Sequence, residues 1–430
     1  MDAPIIVLVV AFVVLLCMNV PIAIAIGLAT LWAIGAAGDI SAVDIVAPRL
    51  GTGIDSFALL CIPFFILMGQ LLGRGGIARR LIDFAEAVVG RFPGGLAFVN
   101  TLACMFFGAI SGSAAAAVSS VGGVMIPEMN RKGYDKNFNI ALSSCAATTG
   151  LLIPPSNVMI VYALVTGSVS VAALFLAGIV PGVLMGGCLM IAAAVICHRK
   201  RYGAGKRIGL WETVIRFWRA LPGLLLIFIV LGGIISGMFT PTEAASIAVV
   251  YAFILSVIVY REVKPRELPQ VLLKTGTTTS VVMLLIGASM GMSWFMAFEN
   301  LPEHVSQGIS SVASNKIGVL LMINVLLLAV GTFMDMTPAV LIFTPIFLPI
   351  VTLVGVDPVH FGIIMIANLC IGLCTPPVGT VLFLGVGVGN GKIHEVIKSF
   401  IPLFFMMIVA LLIITYVPAV SLALPKWFGV

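Results

Sequence analysis

Apolar runs of membrane-spanning length recur along this chain, with polar residues confined to short stretches between them. Residues 5–16 and 21–37 read as helices separated at Asn19-Val20-Pro21, since a proline ring removes a backbone donor and clashes with the preceding turn. A loop around 39–55 leads to a span over 57–72. Residues 77–89 then carry charges beside an apolar face of Leu81, Phe84, Ala85 and Val88, the pattern of a helix lying along a membrane interface. Residues 93–130 are apolar except for Ser111-Gly112-Ser113 at the middle and Ser119-Ser120 after it, and read as two helices meeting at a polar tip. A basic loop, 131–136, precedes a helix over 138–153, a break, a continuation to 165 and a long span over 171–197.

The second half repeats this order. It gives spans over 221–235 and 244–260, a basic loop over 261–274, a span over 280–298 and an amphipathic stretch over 302–312. A second apolar hairpin over 317–352 has Met334-Asp335-Met336-Thr337 at its middle. A broken helix over 361–388 and a span over 401–417 complete it. The centre of the repeat is a proline pair: Gly150-Leu-Leu-Ile-Pro154-Pro155-Ser156-Asn157 returns as Gly372-Leu-Cys-Thr375-Pro376-Pro377-Val378-Gly379, 222 positions further on (154 to 376). At the same offset Pro127 falls on Pro349, Gly133 on Gly355, Asp135 on Asp357, Leu151 on Leu373 and Gly167 on Gly389. The expected organisation is a first repeat over 1–197 (hairpin 93–130, broken helix 138–165), a cytoplasmic linker over 198–219, and a second repeat over 220–430 (hairpin 317–352, broken helix 361–388).

Composition fixes the class. Of 430 residues 61% are hydrophobic and 9% charged, so this is an all-α polytopic membrane protein. The first apolar run lacks a small-residue cleavage site and reads as mature membrane domain. A net charge of +6 does not point to nucleic acid, because the basic residues sit in loops between apolar runs. Their distribution tests the orientation of the halves. Loop 130–136 holds Arg131, Lys132 and Lys136, whereas its counterpart 352–358 has no positive charge. The interfacial stretch with Arg74, Arg79, Arg80 and Arg91 matches one with Glu299, Glu303, His304 and only Lys316 at its end. The neutral turn 167–170 matches 389–398, which carries Lys392 and Lys398. With Arg199, Lys200, Arg201, Lys206 and Arg207 of the linker in the cytoplasm, all three comparisons give two inverted-topology repeats. The test leaves open whether each hairpin turns back within the membrane or crosses it.

Candidate chemistry concentrates at the breaks and tips. Non-helical backbone at membrane depth is tolerated only where protein or a water-filled cavity satisfies it, and freed carbonyls are good ligands for a hard cation. Ser111, Ser113, Thr148, Thr149, Ser156 and Asn157 surround one break; Thr332, Asp335, Thr337, Asn368 and Thr375 surround the other. Such oxygens suit Na+ better than a transition metal, and helix N-termini at the same breaks favour a carboxylate. Simpler readings stand beside these. Serines in membrane helices commonly allow close packing, Ser111-Gly112-Ser113 would also serve as a surface turn, and Glu243 would also serve as a cap. Asp335 is different: an ionised side chain in an apolar hairpin costs at least about 2.5 kcal/mol unless partnered. The eight cysteines lack zinc or disulfide spacing and read as packing residues. No Ser/His, Cys/His or histidine-metal constellation suggests an enzyme, and nothing resembles the filter of a passive channel.

The segments Phe239-Thr-Pro-Thr-Glu-Ala-Ala245, Ser111-Gly-Ser113, Ile153-Pro-Pro-Ser156, Met334-Asp-Met-Thr-Pro338 and Asn368-Leu-Cys-Ile-Gly-Leu-Cys-Thr-Pro-Pro-Val-Gly379 resemble the large membrane subunit of TRAP transporters, the DctM type. The likeness covers essentially the whole chain. It implies an elevator-type secondary transporter of the bacterial inner membrane, with a scaffold and a transport domain carrying two hairpins. It also implies Na+ as the driving ion at two sites or more, a small four-helix membrane subunit (DctQ type), and a periplasmic substrate-binding protein (DctP type) that delivers an organic acid anion such as a C4-dicarboxylate or sialic acid. A chain that starts at Met1 without a fused small subunit leads us to expect a separate partner. Carried over, Ser111, Gly112, Ser113, Gly150 and Pro154, with Pro155 and Ser156, would hold one Na+. Gly331, Thr332, Asp335, Gly372, Thr375 and Pro376 would hold another. Ser111, Ser113, Ser156, Asn157, Asp335 and Thr337 would border the substrate. Asn157 departs from the apolar residue usual there, which bears on substrate choice. A related symporter that works without a binding protein is the alternative.

Overall fold

The computed structural model describes residues 3–38, 42–74, 76–205, 208–305 and 315–430, and every long element among them is a helix. Among the described residues seven helices are long and apolar enough to cross a bilayer, and an eighth span arises if the pair Lys136–Leu152 and Asn157–Thr166, bent by 45°, counts as one. Side chains such as Val183, Ile191, Phe228 and Phe405 face outward from these helices. An apolar exterior of this kind is stable only against lipid.

The helices form two groups. An outer frame contains Ala3–Cys17, Ile22–Ala37, Cys61–Arg74, Leu210–Ile235, Pro241–Phe253 and Leu268–Phe298. An inner group contains the two hairpins, the two broken helices, and Val171–Arg199, Ile393–Tyr416 and Ala419–Phe428. The first hairpin runs Gly95–Ser111, a tip at Gly112, then a second arm interrupted by a π-turn at Val118–Gly122 before Gly123–Arg131. The second runs Lys316–Gly331 and Met336–Leu353. The first broken helix is Lys136–Thr149 followed by Asn157–Thr166; the second is Pro358–Gly372 followed by Thr380–Val388.

Residues 222 positions apart do the same local work. Asp135 caps Lys136–Thr149 by accepting from the Asn137 and Phe138 amides at 2.9 and 3.0 Å, and Asp357 caps Pro358–Gly372 through Val359 at 2.8 Å. The glycine two residues before each cap, Gly133 or Gly355, has φ of 82° or 74°, a conformation glycine adopts without a Cβ penalty. Both proline pairs, Pro154-Pro155 and Pro376-Pro377, are cis.

The hairpins arrive from opposite ends of the inner group. The base of the first meets the stretch after Val171–Arg199, where the Gly94 amide donates to Gly203 O at 3.2 Å and Lys200 pairs with Asp135 at 2.9 Å. Lys136 Nζ also donates to Asn390 O at 2.6 Å, just before Ile393–Tyr416 begins. The base of the second meets the far end of that same helix, where Tyr416 Oη donates to Ile317 O at 3.1 Å.

Several boundaries differ from the pattern reading. Ala42–Ile54 is a helix where a loop was expected; its apolar positions are masked by Pro48, Gly51 and Gly53. Leu210–Ile235 begins inside the polar stretch that precedes 221, Leu268–Phe298 absorbs much of the basic segment before 280, and Ile393–Tyr416 starts well before 401. A helix of 31 residues is about 46 Å long, well beyond the hydrocarbon core, so its polar ends remain helical in the headgroups. Ala419–Phe428 adds a helix beyond the last expected span. On Ile77–Val89 the buried face uses Ile82, while Val88 is exposed. That helix is pinned by Arg216 to Glu86 at 2.6 Å and by Arg80 to Glu262 at 3.1 Å, with the Arg80 guanidinium 3.6 Å from the Tyr260 ring. Residues 306–312 of the amphipathic stretch, and Lys206 and Arg207, lie outside the described residues.

Candidate functional site

Both hairpin tips and both broken helices border one cavity of about 410 Å³. Ser111, Gly112, Ser113, Asn157, Asp335 and Thr337 all line it. A neighbouring cavity of about 490 Å³ also reaches Asp335 and Thr337, walled by Pro21 to Ile24 of the frame.

The tips are built by helix capping. At the first, Gly112 turns the chain at φ 61° and Ser113 takes extended backbone, its Oγ accepting from the Ala116 amide at 3.3 Å. A Cβ on Gly112 would sit 3.4 Å from Asn157 Nδ2, so this tip rests against the start of the second half of the broken helix. At the second tip Asp335 occupies the cap position and its Oδ1 accepts from the Met336 amide at 2.8 Å. This amide is its side-chain partner, and no ion pair to Asp335 occurs among the described residues; the carboxylate opens into the cavity.

Gly150, Gly331 and Gly372 do not line the cavity. They bring the hairpin arms onto the broken helices: a Cβ on Gly150 would lie 2.6 Å from Gly108 Cα, and one on Gly331 would lie 3.0 Å from Gly372 Cα. Only glycine permits backbones this close. Pro154 is buried in the first break, while Thr375 and Pro376 are partly exposed in the second. The second break is tied to the second tip by the Gly379 amide, which donates to Thr332 O at 3.2 Å.

Most of the threonine hydroxyls at these breaks have already spent their protons. Thr149, Thr332 and Thr375 each donate at 2.7 Å to a carbonyl of their own helix, at Ala146, Ala329 and Ile371. Their lone pairs can then only accept or bind a cation. Ser156 is the informative exception. It is 1% exposed, stands at the N-cap of Asn157–Thr166, and its Oγ has no hydrogen-bond partner among the described residues. A buried hydroxyl left unpaired costs about 1–3 kcal/mol, and a cation in the first break would remove that cost. Asn368 Oδ1 is likewise unpartnered, although its Nδ2 donates to Asn324 Oδ1 at 2.8 Å. The helices starting at Asn157, Met336 and Thr380 direct their N-termini toward the cavity. The same space therefore suits hard cations at the breaks and an anionic group between them.

The frame contributes residues the pattern reading did not select. Gln70 of Cys61–Arg74 and Thr278 of Leu268–Phe298 line the cavity opposite the tips. A lone amide in an otherwise apolar helix and the run Thr277-Thr278-Thr279 were the signals available. Glu243, by contrast, closes a capping box: its Oε2 accepts from the Thr240 amide at 2.8 Å, while Thr240 Oγ1 accepts from the Glu243 amide at 3.3 Å.

Helical hairpins and paired helix breaks around a shared cavity inside an apolar bundle are the architecture of a membrane transport protein. The fold matches the crystal structure of the Alcanivorax borkumensis YdaH transporter with a TM-score of 0.63 at 15% identity, over 91% of this chain and 90% of that one. The family described as Tripartite ATP-independent periplasmic transporter, DctM component, matches residues 9–420. Among relatives, the Salmonella typhimurium protein YgiK, described as uncharacterized, is 51% identical over 99% of this chain and 98% of its own length. The C4-dicarboxylate TRAP transporter large permease protein DctM of Pseudomonas aeruginosa is 44% identical over 87% and 88%. The isethionate TRAP transporter permease protein DctMQ of Oleidesulfovibrio alaskensis is 43% identical over 96% of this chain and 65% of that one. The chain belongs to the DctM family of TRAP transporter large permeases. It is a multi-pass inner-membrane transporter component and not an enzyme.

Proposed function

We propose that this chain imports an organic acid anion by coupling its movement to inward Na+ flow. The observation that carries the reading is the convergence of Ser113, Asn157, Asp335 and Thr337 on one cavity, with the unpaired Ser156 hydroxyl in the adjoining break. One Na+ sits at the first tip and break, among Ser111 to Ser113, Gly150, Pro154 and Ser156. A second sits at the other, among Gly331, Thr332, Asp335, Gly372, Thr375 and Pro376. The anion lies between the tips, near Ser111, Ser113, Ser156, Asn157, Asp335 and Thr337.

The inner group is the transport domain and the frame is the scaffold of an elevator. Residues 1–197 and 220–430 are repeats of opposite orientation joined by a cytoplasmic linker, 198–219. Support comes from the approach of the hairpins from opposite ends of Ile393–Tyr416 and from the charge asymmetry of equivalent loops. Na+ neutralises Asp335 and lets the anion enter; only then does the second tip close and the domain move. Coupling requires this order, since a ligand shifts an equilibrium only through its differential affinity for the two states.

A periplasmic binding protein delivers the solute, and a separate small membrane subunit flanks the frame. Relatives named for C4-dicarboxylates, isethionate and sialic acid support an organic acid as the solute, such as a C4-dicarboxylate or a sugar acid like sialic acid. The test is uptake of radiolabelled organic acids into proteoliposomes under an inward Na+ gradient, with and without the binding protein. Uptake that needs both supports the reading. Uptake indifferent to Na+ removes the ion sites, and Na+-driven uptake without the binding protein assigns the chain to a free-standing symporter.

A further inference from the structure

A further cavity, of about 270 Å³ and largely apolar in its walls, stands apart from the tips and has the opposite charge. It is lined by Arg49, Thr52 and Ser56 together with apolar side chains that include Val165, Met290 and Leu341. Among the described residues lining it Arg49 carries the only charge, whereas the tip cavity has only the negative Asp335. Arg49 belongs to Ala42–Ile54, and its guanidinium lies 5.8 Å from the Trp294 ring centroid. No ion pair to Arg49 occurs among the described residues. Thr52 spends its proton on Pro48 O at 2.9 Å, which leaves the guanidinium and the Ser56 hydroxyl as the donors facing this space. Gly53 admits the Met290 side chain, which a Cβ would meet at 2.7 Å, and so brings Ala42–Ile54 close against Leu268–Phe298.

The two cavities are stacked along shared helices. Val161 lines both, and Val165, one turn further, lines only the Arg49 cavity. Thr337 and Leu341, and likewise Val282 and Ile286, divide in the same way, so the centres are separated by about one to two helical turns, roughly 5–10 Å. The direction of the stack is also fixed. Leu268–Phe298 begins beside Arg74, where Arg74 Nη1 donates to Gln270 at 3.2 Å; it then passes the tip cavity and reaches the Arg49 cavity. Asn157–Thr166 leads the same way, with Tyr162 Oη donating to Pro358 O at 2.7 Å at the base of the second hairpin. Thus the Arg49 cavity lies toward the face bearing Asp357, away from the basic face of Lys136 and Lys200.

We propose that Arg49 and Ser56 form a staging site that holds a carboxylate or sulfonate group of the incoming anion before the tip cavity accepts it. The inference rests on the import reading above and deepens it. An anion approaching the tips meets the bare charge of Asp335, and that repulsion lasts until a cation arrives. A fixed guanidinium one to two turns outward keeps the anion resident through that interval without needing Na+ itself. Arg is suited to this because its planar fork pairs with two oxygens at once.

The test separates the charge of this cavity from transport. Thr52→Cys is placed in a Cys17→Ser background, Cys17 being the exposed cysteine of the chain. The purified full chain is labelled with a sulfonate-bearing and a trimethylammonium-bearing methanethiosulfonate in Na+-free buffer. Arg49→Gln is expected to lower the ratio of the two rates about tenfold, as one unpaired charge acting across a partly wet cavity would, and Arg49→Lys to retain most of it. In proteoliposomes of the complete tripartite system, Arg49→Gln raises KM several-fold, leaves kcat and Na+ dependence largely intact, and is partly rescued by Arg49→Lys. A labelling ratio unmoved by Arg49→Gln overturns the proposal, and so does a moved ratio with an unchanged KM. Wild-type vesicles that take up no organic acid would count against the import reading alone, and the labelling would still decide the charge of the cavity.

Discussion

Ser113 and Asp335 stand at equivalent positions of the two hairpin tips, 222 residues apart (113 to 335), and each caps the second arm of its hairpin. Their surroundings differ. The first tip turns through a left-handed glycine and lies against Asn157, whereas the second leaves Phe333 exposed and turns its carboxylate into the cavity. A serine cap is neutral whatever the cavity holds. An aspartate cap performs the same backbone service and adds a charge that the described protein does not neutralise. The duplication thus supplies one shape twice, and a single residue makes the halves electrostatically unequal. In the cycle proposed above, the first tip serves as a fixed wall and the second as the cation-dependent gate.

The severest way to break the comparison is to remove what the tips share. Gly372→Val puts side-chain atoms into the Gly331 backbone, with a cost on the order of 3 kcal/mol or more. We expect little monodisperse protein by size-exclusion chromatography and no uptake; Gly150→Val should behave alike through Gly108. Asp335→Asn then removes the charge while keeping an acceptor for the Met336 amide. Na+-driven uptake is expected to fall at least about tenfold with Tm nearly unchanged, since the lost charge–cation interaction outweighs the retained cap. Uptake at the wild-type level would end the distinction between the tips. Ser113→Ala sharpens it from the other side: loss of the cap costs about 1 kcal/mol, seen as a lower Tm with a smaller effect on uptake than Asp335→Asn.

The smallest effect concerns the base of the first hairpin. Burial would raise the Asp135 carboxyl, but the Lys200 ammonium and the Phe138 and Asn137 amides outweigh it and hold it below the usual carboxylate range. A depressed carboxyl contributes stability that is present above its unfolded pKa of about 3.9 and is lost as pH falls through the folded value. Partial exposure limits this to under about 1 kcal/mol. Asp135→Asn should lower Tm slightly at pH 7, and the gap should close in melts below about pH 3.

The hairpins and proline breaks were legible because they interrupt apolar runs with residue types whose backbone effects are local: proline, glycine and capping serine or aspartate. The equivalence of Asp135 with Asp357 was readable from the 222-residue offset, and their shared capping role only from the geometry. Helix ends in the headgroup region were not, since a helix continuing past the hydrocarbon carries the polar composition of a loop. Leu268–Phe298 and Ile393–Tyr416 were shortened on that account. The tip residues of the site could be selected from sequence, whereas Gln70, Thr278 and Arg49 could not, because their role depends on which frame helix stands opposite the tips. Asp335 was singled out for the cost of its charge, and its capping role emerged only from geometry.

The packing of Val171–Arg199 against Ile393–Tyr416 and Ala419–Phe428, together with that of Lys136–Thr149 against Ile393–Tyr416, bears on how the chain is made. The first half is synthesised and inserted while its final neighbours are still some 190 residues from the ribosome's exit, counting from 199 to 393. Until they arrive, the buried polar groups of its broken helix have no completed cavity around them, and the hairpin base is closed by the Gly94 to Gly203 and Lys200 to Asp135 contacts without that of Lys136 to Asn390. We therefore expect neither half to fold as an independent unit, despite the repeated pattern. Half-length fragments should be degraded when expressed singly and recover only when expressed together, so assembly quality is decided at the last two helices.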